Sequence, residues 1–356
     1  MQTSSVHKKK SVLVPLPLNL AETERNWYEP YQSYEYTQQK IKQFNHVFLG
    51  FSGFALNRNG LIKECHHQYT SQHGDYLNEA AKYYHDVADH PGNLITLDSG
   101  PVYLAVHHPW FNYYHWLCES VFRLWLVRRK LDKLILVLPD FYGDADFIRG
   151  TLEPFKIKNI YFIPRDKSLL IGNLCLPELK QICDSYNGLH LRQVRRFYCN
   201  YVLSEKKIPF TRIEKLYVSR KLASRRKVKD EEQVLAVLEQ HGFTIFHPEK
   251  FSFLEQVAIF SQVKYLVGEH GSGLTNMLFM KKGASLLELH QNKTNELDHP
   301  SPLFWYMAEA LGIRYYHQCC TTHGREDYFE GEYVVDPGLL AANLEKMLTG
   351  GGRTPL

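Results

Sequence analysis

Two glycines, Gly271 and Gly273, stand where the sequence passes from an apolar strand to a helix. The strand is predicted over residues 265–267 and the helix over residues 274–280. Glycine lets the backbone approach a ligand closely, and the unpaired N–H groups of a helix's first turn attract an anion. The segment is therefore typical of a phosphate-binding loop, although the same glycine pair also suits an ordinary tight turn.

Hydrogen-bond donors beside these glycines favour phosphate binding over the simple turn. His270 directly precedes Gly271, and Asn276 lies inside the predicted helix. Either side chain can donate a hydrogen bond to a nucleotide. We therefore predict a nucleotide contact along the whole loop, which also includes Ser272 and Leu274.

A run of cations follows an earlier predicted strand, residues 215–218, and comprises Arg220, Lys221, Arg225 and Arg226. The planar guanidinium of arginine matches two phosphate oxygens at once, so an arginine at a strand end can neutralise a diphosphate. We assign this role to Arg220, which lies nearest the strand, and include Lys221 and Arg225 in the predicted nucleotide site. Considered individually, Arg226 and Lys221 are better explained as solvated cations of a basic loop.

A third set of polar residues lies on a long helix predicted over residues 111–130. His115, Glu119 and Arg123 are spaced by four positions, which places them on one helical face. A hydroxyl nucleophile needs a base that takes its proton, and His115 or Glu119 can do this. The alternative is an ion pair between Glu119 and Arg123, with His115 as an ordinary hydrogen-bonded helix residue. Both interpretations stay open.

Two adjacent histidine pairs and one Asp-x-Asp spacing are the candidates for a metal site. Neighbouring residues of a strand point to opposite faces, so neither histidine pair suits the chelation of one ion. The Asp-x-Asp spacing falls in a predicted loop or helix start, and the seven cysteines contain no CxxC pair. We therefore predict that no metal is bound. The residues concerned are His66, His67, His107, His108, Asp144 and Asp146.

The elements that must position these residues alternate between strands and helices from residue 94 onwards. Strands separated by single helices predict βαβ units and a doubly wound parallel sheet. Residues 1–90 show no clear periodicity, and their short apolar runs, such as residues 47–51, are interpreted as edge strands or hairpins added to an otherwise irregular segment. The predicted strands are residues 94–97, 102–106, 134–138, 160–163, 169–176, 215–218, 243–246, 265–267 and 285–289. The predicted helices are residues 111–130, 189–203, 230–240, 252–261 and 274–280.

The length of 356 residues exceeds what one hydrophobic core usually serves, so two domains are expected. We predict the α/β class, with an N-terminal domain over residues 1–207 and a C-terminal domain over residues 208–335. A helix and tail follow over residues 336–356. A break at Pro209 places the boundary near residues 204–213.

Composition excludes several classes of protein. The chain is 44% hydrophobic and 22% charged, as globular domains are, and no run of about 18 apolar residues could span a bilayer. The net charge of +4 suits an anionic ligand but lacks the basic stripe of nucleic-acid binding. The odd number of cysteines indicates a reducing compartment, so a cytoplasmic location is predicted. Peripheral attachment to the inner face of a membrane through residues 8–10 or 227–229 stays open.

Several ordered motifs resemble glycosyltransferase family 61. The similarity covers roughly residues 94–317 and is most specific in the second half. The motifs are Asn-Tyr-Tyr-His-Trp-Leu-Cys-Glu at 112–119, Ser-Arg-Lys at 219–221, Phe-Leu-Glu-Gln at 253–256, Gly-Glu-His-Gly-Ser-Gly-Leu-Thr-Asn at 268–276 and Gly-Ala-Ser-Leu-Leu-Glu at 283–288.

This resemblance implies a GT-B architecture, in which two Rossmann-like domains face a cleft, and inverting sugar transfer without an obligatory metal. It also implies a nucleotide-sugar donor, usually a UDP-sugar, bound by the C-terminal domain. By motif position, Arg220 and residues 270–276 contact the diphosphate, and Glu288 lies at the next strand end near the ribose or base.

The sequence departs from the eukaryotic members of that family in two ways. Glu269 stands where a proline is frequent, and the transmembrane anchor of those members is not seen. Eukaryotic members act in the secretory lumen on plant xylans or protein-linked glycans. The chain looks more like bacterial members that assemble capsule, lipopolysaccharide or other envelope polysaccharides.

The N-terminal half is expected to hold the acceptor. Aromatic faces can stack on a sugar ring, although core packing explains at least half of such residues equally well. The predicted acceptor-binding residues are Asn112, Tyr113, Tyr114, Trp116 and Arg123, and Trp110 is a further aromatic candidate.

We therefore predict an inverting, metal-independent glycosyltransferase that moves a sugar from a UDP-sugar to a hydroxyl of a glycan or lipid-linked saccharide. His115 or Glu119 assists deprotonation, and Arg220 stabilises the leaving diphosphate. No cofactor beyond the nucleotide sugar is expected. One alternative is a non-catalytic module that binds a glycan or sugar nucleotide. Another is a nucleotide-dependent sugar epimerase or dehydrogenase, which the incomplete G-x-G-x-x-G pattern disfavours.

Overall fold

The computed structural model describes residues 9–291, 299–323 and 331–350. The chain divides into two compact units. The first unit spans Met1–Lys10 and Tyr36–Cys183, and the second spans Ser11–Glu35 and Asp184–Leu356. Lys8 and the tail residues 351–356, which the sequence analysis mentions, lie outside the described residues.

Strands and helices alternate along most of the described chain. The strands are β1 (Lys10–Leu13), β2 (Ser33–Tyr36), β3 (Ile41–Leu49), β4 (Ala55–Asn57), β5 (Gly60–Leu61), β6 (Leu94–Leu97), β7 (Val102–Ala105), β8 (Leu134–Pro139), β9 (Ile160–Ile163), β10 (Ser168–Pro177), β11 (Lys215–Val218), β12 (Thr244–Phe246), β13 (Tyr265–Glu269), β14 (Ser285–Gln291), β15 (Arg314–His323) and β16 (Glu332–Val334). The α-helices are α1 (His73–Asp89), α2 (Tyr113–His115), α3 (Val121–Val127), α4 (Asp146–Leu152), α5 (Gly188–Asn200), α6 (Glu231–Gln240), α7 (Phe253–Phe260), α8 (Leu303–Leu311) and α9 (Pro337–Thr349).

Shorter helical segments connect these elements. The π-helical turns are Trp116–Ser120 and Tyr201–Glu205. The 3₁₀ segments are Glu22–Trp27, Glu29–Tyr31, Lys63–Cys65, Pro91–Asn93, Arg128–Lys133, Asp140–Gly143, Glu153–Phe155, Pro248–Lys250 and Ser272–Phe279. None of the helices within the described ranges is long and apolar enough to cross a bilayer.

The sheet of the first unit has the strand order β5-β4-β3-β10-β7-β8-β9, with β6 also paired to β10. The strands from β10 to β9 are parallel, as predicted. The prediction of a purely parallel sheet is wrong for the other half, because β3 runs antiparallel to β10 over most of its length. This pairing brings Val47 and Leu49 into the core beside Leu169 and Ile171.

Residues 73–89 of the first unit form α1, a long helix that the sequence analysis missed. Only Tyr76 and Ala80 are buried along its length. So narrow an apolar stripe gives little periodic signal in the sequence.

The sheet of the second unit has the order β12-β11-β13-β14-β15-β16, and its first five strands are parallel. In chain order these five strands read 2-1-3-4-5, a doubly wound arrangement. Helices α6 and α9 pack together on one face through Val234, Leu238 and Leu344. Helices α5, α7 and α8 lie in a second helical layer. The predicted parallel sheet is confirmed for this unit.

The helix ends of the second unit carry the capping residues that their positions require. Ser252 precedes α7 and forms a capping box with Glu255. Asp336 accepts the backbone N–H of Leu339 at the start of α9, and Gly350 ends that helix in the left-handed region. Local sequence therefore fixes where these helices begin and end.

The second compact unit contains two segments that the prediction placed in the N-terminal domain, residues 11–35 and residues 184–207. The predicted boundary near residues 204–213 falls inside it, because α5 packs on the second unit: Arg192 donates to the carbonyl of Ala310 (2.9 Å) and Arg195 to that of Met280 (2.8 Å).

Residues 11–35 were assigned to the N-terminal domain by the sequence, but they also pack on the second unit. Asn19 makes two hydrogen bonds to the backbone of His317, of 2.7 and 3.0 Å. Trp305 Nε1 donates to the carbonyl of Pro15 at 2.7 Å. Long-range contacts of this kind leave no local pattern in the sequence.

Candidate active site

The second unit has a topological switch point between β11 and β13. Open α/β sheets bind ligands there, outside the carboxyl ends of the strands. Arg220 follows β11 by two residues, and His270 directly follows β13. Because β11 and β13 are parallel neighbours, the predicted cationic segment and the predicted glycine loop meet at one sheet edge.

Arg220 lies directly over Gly271. Its Nε and Nη2 donate to the carbonyls of Arg226 (3.2 Å) and Arg225 (3.1 Å), which fixes the guanidinium. A Cβ atom on Gly271 would overlap Arg220 Nη1, and it would lie 3.7 Å from Nη2 of Arg226. Gly271 has extended backbone, so the position requires glycine for this close approach rather than for its torsion angles. Two guanidinium groups therefore face the loop.

Two other glycines allow the loop to pack on the end of β11. A Cβ on Gly273 would lie 2.8 Å from Cγ1 of Val218, and one on Gly268 would lie 2.9 Å from Cδ2 of Leu274. Such distances are shorter than real carbon contacts, so both positions require a missing side chain. The sequence Gly-x-x-Gly-x-Gly thus brings the backbone of the loop against the strand that precedes Arg220.

His270 is oriented by a buried carboxylate. Its Nδ1 lies 2.5 Å from Oε1 of Glu288, whose Oε2 accepts the hydroxyl proton of Tyr315 at 2.7 Å. The side chain of Glu288 is 1% exposed and that of His270 is 15% exposed. With Nδ1 bound to Glu288, the imidazole has Nε2 left for a ligand.

The first unit contains a buried cluster, here called the imidazole cluster: Glu119, His67, His108 and His115. Oε1 of Glu119 lies 2.8 Å from Nε2 of His67. Oε2 lies 2.8 Å from Nδ1 of His115 and 3.2 Å from Nε2 of His108. The side chain of Glu119 is fully buried, whereas that of His115 is 12% exposed. Glu119 sits in the π-helical turn that interrupts the predicted helix, a local feature frequent at functional sites.

The hydrogen bonds of the cluster determine where its protons lie. The backbone N–H of Trp110 donates to Nδ1 of His108 at 2.9 Å. The neutral ring therefore carries its proton on Nε2, which faces Glu119, although this N–H is not well aligned for a hydrogen bond. His115 binds Glu119 through Nδ1, so a neutral His115 keeps a lone pair on Nε2.

Burial and charge act in opposite directions on Glu119. Burial alone would raise its pKa, but the electrostatic effects of His67 and His115 and the hydrogen bond from His115 outweigh burial and hold the pKa well below its usual value. For His108, burial lowers the pKa well below the usual value despite the nearby carboxylate. The cluster therefore holds an ionised Glu119 beside a neutral His108 at neutral pH.

A cation lies beside the imidazole cluster. Lys180 Nζ is 3.6 Å from Oε1 of Glu119 and also contacts the carbonyl of Cys183 and the hydroxyl of Tyr114. The positive charge of Lys180 further offsets the burial of the carboxylate.

Two sets of ligand atoms in the described residues have the spacing that a metal ion would need: His108, His115 and Glu119, and His67, Glu119 and Cys183. A ligating histidine usually donates its other N–H and offers a lone pair to the metal. Nδ1 of His108 instead accepts a hydrogen bond, so its Nε2 carries a proton in the neutral ring. Lys180 competes for the same carboxylate. The protonation pattern of the cluster suits hydrogen bonding better than metal ligation.

Comparison with known proteins identifies a family domain within the chain. The family model described as Glycosyltransferase 61 matches residues 113–287, which include His115, Glu119, Arg220 and the glycine loop. The chain carries a glycosyltransferase 61 domain. The predicted family and the predicted enzyme class, a glycosyltransferase, are thereby confirmed for this domain.

A curated relative is the "EGF domain-specific O-linked N-acetylglucosamine transferase" of Drosophila melanogaster, 27% identical over 262 residues. The match covers 65% of this chain and 48% of that protein. The chain thus spans about half the length of the curated relative it matches.

Several predicted nucleotide contacts of the glycosyltransferase 61 domain need correction. Leu274 and Asn276 are fully buried, and the amide of Asn276 donates to Oε1 of Gln256 at 2.7 Å. The predicted α-helix is instead a 3₁₀ segment over Ser272–Phe279, and every residue from Leu274 to Phe279 is buried, so both side chains lie in the core. Glu288 is likewise buried against His270 and Tyr315 rather than directed at a ribose.

The other predicted members of this loop and of the cationic run stay accessible. Ser272 and Gly273 are partly exposed, and Lys221 and Arg225 are exposed. Arg226, for which a solvated loop was preferred, lies beside Gly271 instead. It adopts a left-handed backbone (φ 56°), which sequence alone does not reveal.

Three predicted acceptor-binding residues are also buried. Arg123 donates to the carbonyls of Pro177 (2.7 Å) and Val106 (2.9 Å) rather than pairing with an acceptor. Trp116 is 2% exposed and donates to Thr151. Tyr114 is 4% exposed, and its hydroxyl donates to the carbonyl of Cys183. These side chains build the core, as the alternative interpretation held for the aromatic residues.

The remaining acceptor candidates lie at the surface. Asn112 accepts the backbone N–H of His115 at 2.9 Å, so it is the N-cap of α2. Tyr113 is partly exposed, and Trp110 is 40% exposed. The ring of Trp110 lies 5.1 Å from that of His115, which makes Trp110 the aromatic residue best placed to stack on a bound sugar.

His67 and His108 were missed by the sequence analysis. The argument that neighbouring residues of a strand point to opposite faces does not apply, because none of the four histidines of the two adjacent pairs lies in a strand. Each pair contributes one ring to the imidazole cluster: His67 follows a 3₁₀ turn and His108 follows β7. The signal in the sequence was the presence of two His-His pairs, at residues 66–67 and 107–108, before the helical His-x-x-x-Glu spacing of residues 115–119.

The buried carboxyl of Glu269, at the end of β13, has a shifted pKa whose effect on stability can be measured. Burial raises the pKa of Glu269 from its ordinary 4.5 to about 7, although the hydroxyl of Tyr217 and the charge of Arg220 lower it. A raised carboxyl pKa contributes stability below pH 4.5, and this stability is lost as pH rises through 7. Between pH 4.5 and 7, the free energy of unfolding of Glu269→Gln should therefore rise relative to that of wild type by on the order of 3 kcal/mol. Above pH 7 the difference should stay constant.

Thermal unfolding of both proteins from pH 4.5 to 8.5 measures this difference. The exposed Glu249→Gln is the matched control and should follow wild type at every pH. A constant difference between Glu269→Gln and wild type would show that Glu269 does not titrate in this range.

Proposed function

We propose that this protein transfers a sugar from a nucleotide-sugar donor, held by the second unit, to an acceptor hydroxyl that the first unit deprotonates. The observation that carries the proposal is the meeting of Arg220, Arg226 and Gly271 at the switch point of a doubly wound sheet. That position in the fold is where nucleotides bind in such sheets. The GT-B architecture implied by the sequence resemblance stays a prediction.

The donor diphosphate binds against Gly271 in this proposal. Arg220 is already fixed by two carbonyls, so little side-chain freedom is lost on binding. Its guanidinium and that of Arg226 neutralise the diphosphate, while Nε2 of His270 is directed to the same ligand by Glu288. As the glycosidic bond to the diphosphate breaks, these groups stabilise the charge that develops on the leaving oxygen.

His115 is the base in this proposal, and Glu119 is not. A general base must reach the proton it removes, and Glu119 is fully buried with both carboxylate oxygens occupied by the imidazole cluster. His115 is partly exposed and has its lone pair on Nε2. Glu119 orients the ring and stabilises the imidazolium that forms, as the carboxylate does in a catalytic triad.

This division of roles gives an inverting reaction without an obligatory metal. His115 takes the acceptor proton as the hydroxyl oxygen bonds to the sugar carbon, and the nucleotide diphosphate leaves from the opposite face. Two guanidinium groups take the place that a divalent cation would have on the diphosphate. Activity that survives EDTA and is not raised by added Mn²⁺ would agree with this proposal.

The relative's name suggests the first donor to test. Because that protein is an O-linked N-acetylglucosamine transferase, UDP-N-acetylglucosamine is our first donor candidate. Two acceptor classes follow: an EGF domain, as in the relative's name, and a glycan or lipid-linked saccharide of bacterial envelope polysaccharide, as the sequence resemblance suggested. The cytoplasmic location and peripheral membrane attachment stay predictions.

A two-stage experiment tests the proposal. UDP should raise the unfolding temperature of the protein in the presence of EDTA, and CMP should do so less. Incubation with UDP-N-acetylglucosamine and each acceptor class should then release UDP and give a product of increased mass. No thermal shift at millimolar UDP, with or without Mn²⁺, would overturn the proposed donor site. UDP binding without release of UDP from any UDP-sugar and acceptor would instead favour the non-catalytic binding module.

A further inference from the structure

We infer that His67 and His108 are positioning residues for the base: they hold Glu119 as an oriented anion so that His115 keeps its lone pair toward the acceptor. The inference rests on the proposed function, in which His115 removes the acceptor proton. Both residues lie outside residues 113–287, the part of the chain that matches the family model.

His67 makes the better aligned of the two contacts. Its Nε2 donates to Oε1 of Glu119 at 2.8 Å, and both side chains are fully buried. Its Nδ1 is buried without a hydrogen-bond partner, so a proton there would be costly. The neutral ring is therefore held in the tautomer whose Nε2–H points at the carboxylate.

His108 contributes a fixed dipole. The backbone N–H of Trp110 occupies its Nδ1, which forces the proton onto Nε2, 3.2 Å from Oε2 of Glu119. Its ring is stacked on that of His115, with centroids 4.4 Å apart and planes 5° apart. The stacked ring of His108 therefore limits the tilt of the His115 ring, and its Nε2–H stays directed at Glu119.

Several other groups face the imidazole cluster. Lys180 lies 3.6 Å from Glu119, and the charge of Arg123 influences both Glu119 and His108. The Sγ atom of Cys183 lies within 4.8 Å of the nearest ligand atoms of His67 and Glu119, and the ring of Tyr69 packs against that of His67. Burial lowers the pKa of Arg123 only to about 10, so this cation stays charged through the neutral range. The pH response is therefore tested by removing the N–H groups that the histidines direct at Glu119.

The consequence has a definite sign. Each N–H directed at Glu119 withdraws negative charge from the carboxylate, so removing one strengthens the attraction of Glu119 for a proton on His115. The acid limb of the kcat profile should then move to higher pH. Replacing Glu119 with an uncharged amide removes that attraction, so the limb should move to lower pH. A merely structural role predicts neither shift.

The test measures kcat and donor KM from pH 5 to 9 for His67→Phe and His108→Phe, which keep a ring but lose the N–H. We expect the acid limb to move up by on the order of half a pH unit and the plateau kcat to fall about tenfold, with donor KM unchanged. His67→Gln keeps an amide N–H near the position of Nε2, so its acid limb should return toward wild type. Glu119→Gln should shift the limb in the opposite direction.

His66→Gln is the matched control, because His66 is also buried but its Nδ1 contacts the main-chain carbonyl of His67 rather than Glu119. If His67→Phe does not fold, His67→Asn replaces it, since the shorter amide cannot reach Glu119. Acid limbs that coincide with wild type in variants with lowered kcat would overturn the inference and leave the proposed function intact. Loss of transfer in wild type itself would instead mean that the proposed function fails.

Discussion

His115→Ala should lower kcat about 10³-fold while leaving the affinity for UDP unchanged. The expected loss follows from the contribution of a positioned general base, on the order of 10² to 10⁴ in rate. Donor affinity should be spared because Arg220, His270 and Gly271 all belong to the second unit. Product formation at saturating donor measures the first quantity, and the UDP-induced rise in unfolding temperature measures the second.

Asn112→Ala is the control that separates loss of the base from loss of the helix start. It removes the cap that accepts the N–H of His115 and should cost about 1 kcal/mol of stability. Because Asn112 is also an acceptor-binding candidate, kcat is compared at saturating acceptor, where only a minor loss is expected. If His115→Ala retained most of its kcat while Glu119→Gln lost it, the base would have to be reassigned to Glu119. Equal small losses in both variants would place the base outside the imidazole cluster.

The parallel strands of both units could be predicted from the sequence because each is a short apolar run bounded by breaks. β8 and β13 have no alternation between polar and apolar residues, which is the pattern of strands covered on both faces. For the antiparallel strands of the first unit, the sequence offered only the apolar run at residues 47–51 as an edge strand or hairpin, because β3 is exposed or half-buried up to His46 and buried only from Val47 to Leu49. Its position depends on pairing with β10, more than a hundred residues away.

The candidate site could be predicted in part for a similar reason. Residues that directly follow strands or share a helix face, such as Arg220, His270 and His115, have positions that local structure determines. Arg226 and His108 depend on loop conformation, which single residues do not encode. Burial was the other difficulty: Asn276 is a residue type that often contacts ligands, but it lies in a segment, residues 274–279, that is buried throughout.

Arg220→Ala should weaken UDP binding about 100-fold and abolish the UDP-induced rise in unfolding temperature. A bidentate arginine contact to phosphate is charge-assisted and worth more than a neutral hydrogen bond. Arg220→Lys should recover little, because one ammonium group cannot both bind the carbonyls of Arg225 and Arg226 and lie across Gly271. Arg226→Ala should give a smaller loss, since its Nη2 lies farther from Gly271.

Lys221→Ala distinguishes a shaped anion site from a general excess of positive charge. Lys221 belongs to the same loop and carries the same charge as Arg220, but it is exposed. If diffuse charge attracts the diphosphate, removing Lys221 or Arg220 should weaken UDP binding equally, and both losses should disappear at high ionic strength. If the guanidinium fixed over Gly271 binds the diphosphate, only Arg220→Ala should show the large loss, and that loss should persist in 0.5 M salt. We expect the second outcome. The guanidinium of Arg220 fits over Gly271 only because that residue has no Cβ, so the proposed contact depends on position as well as on charge.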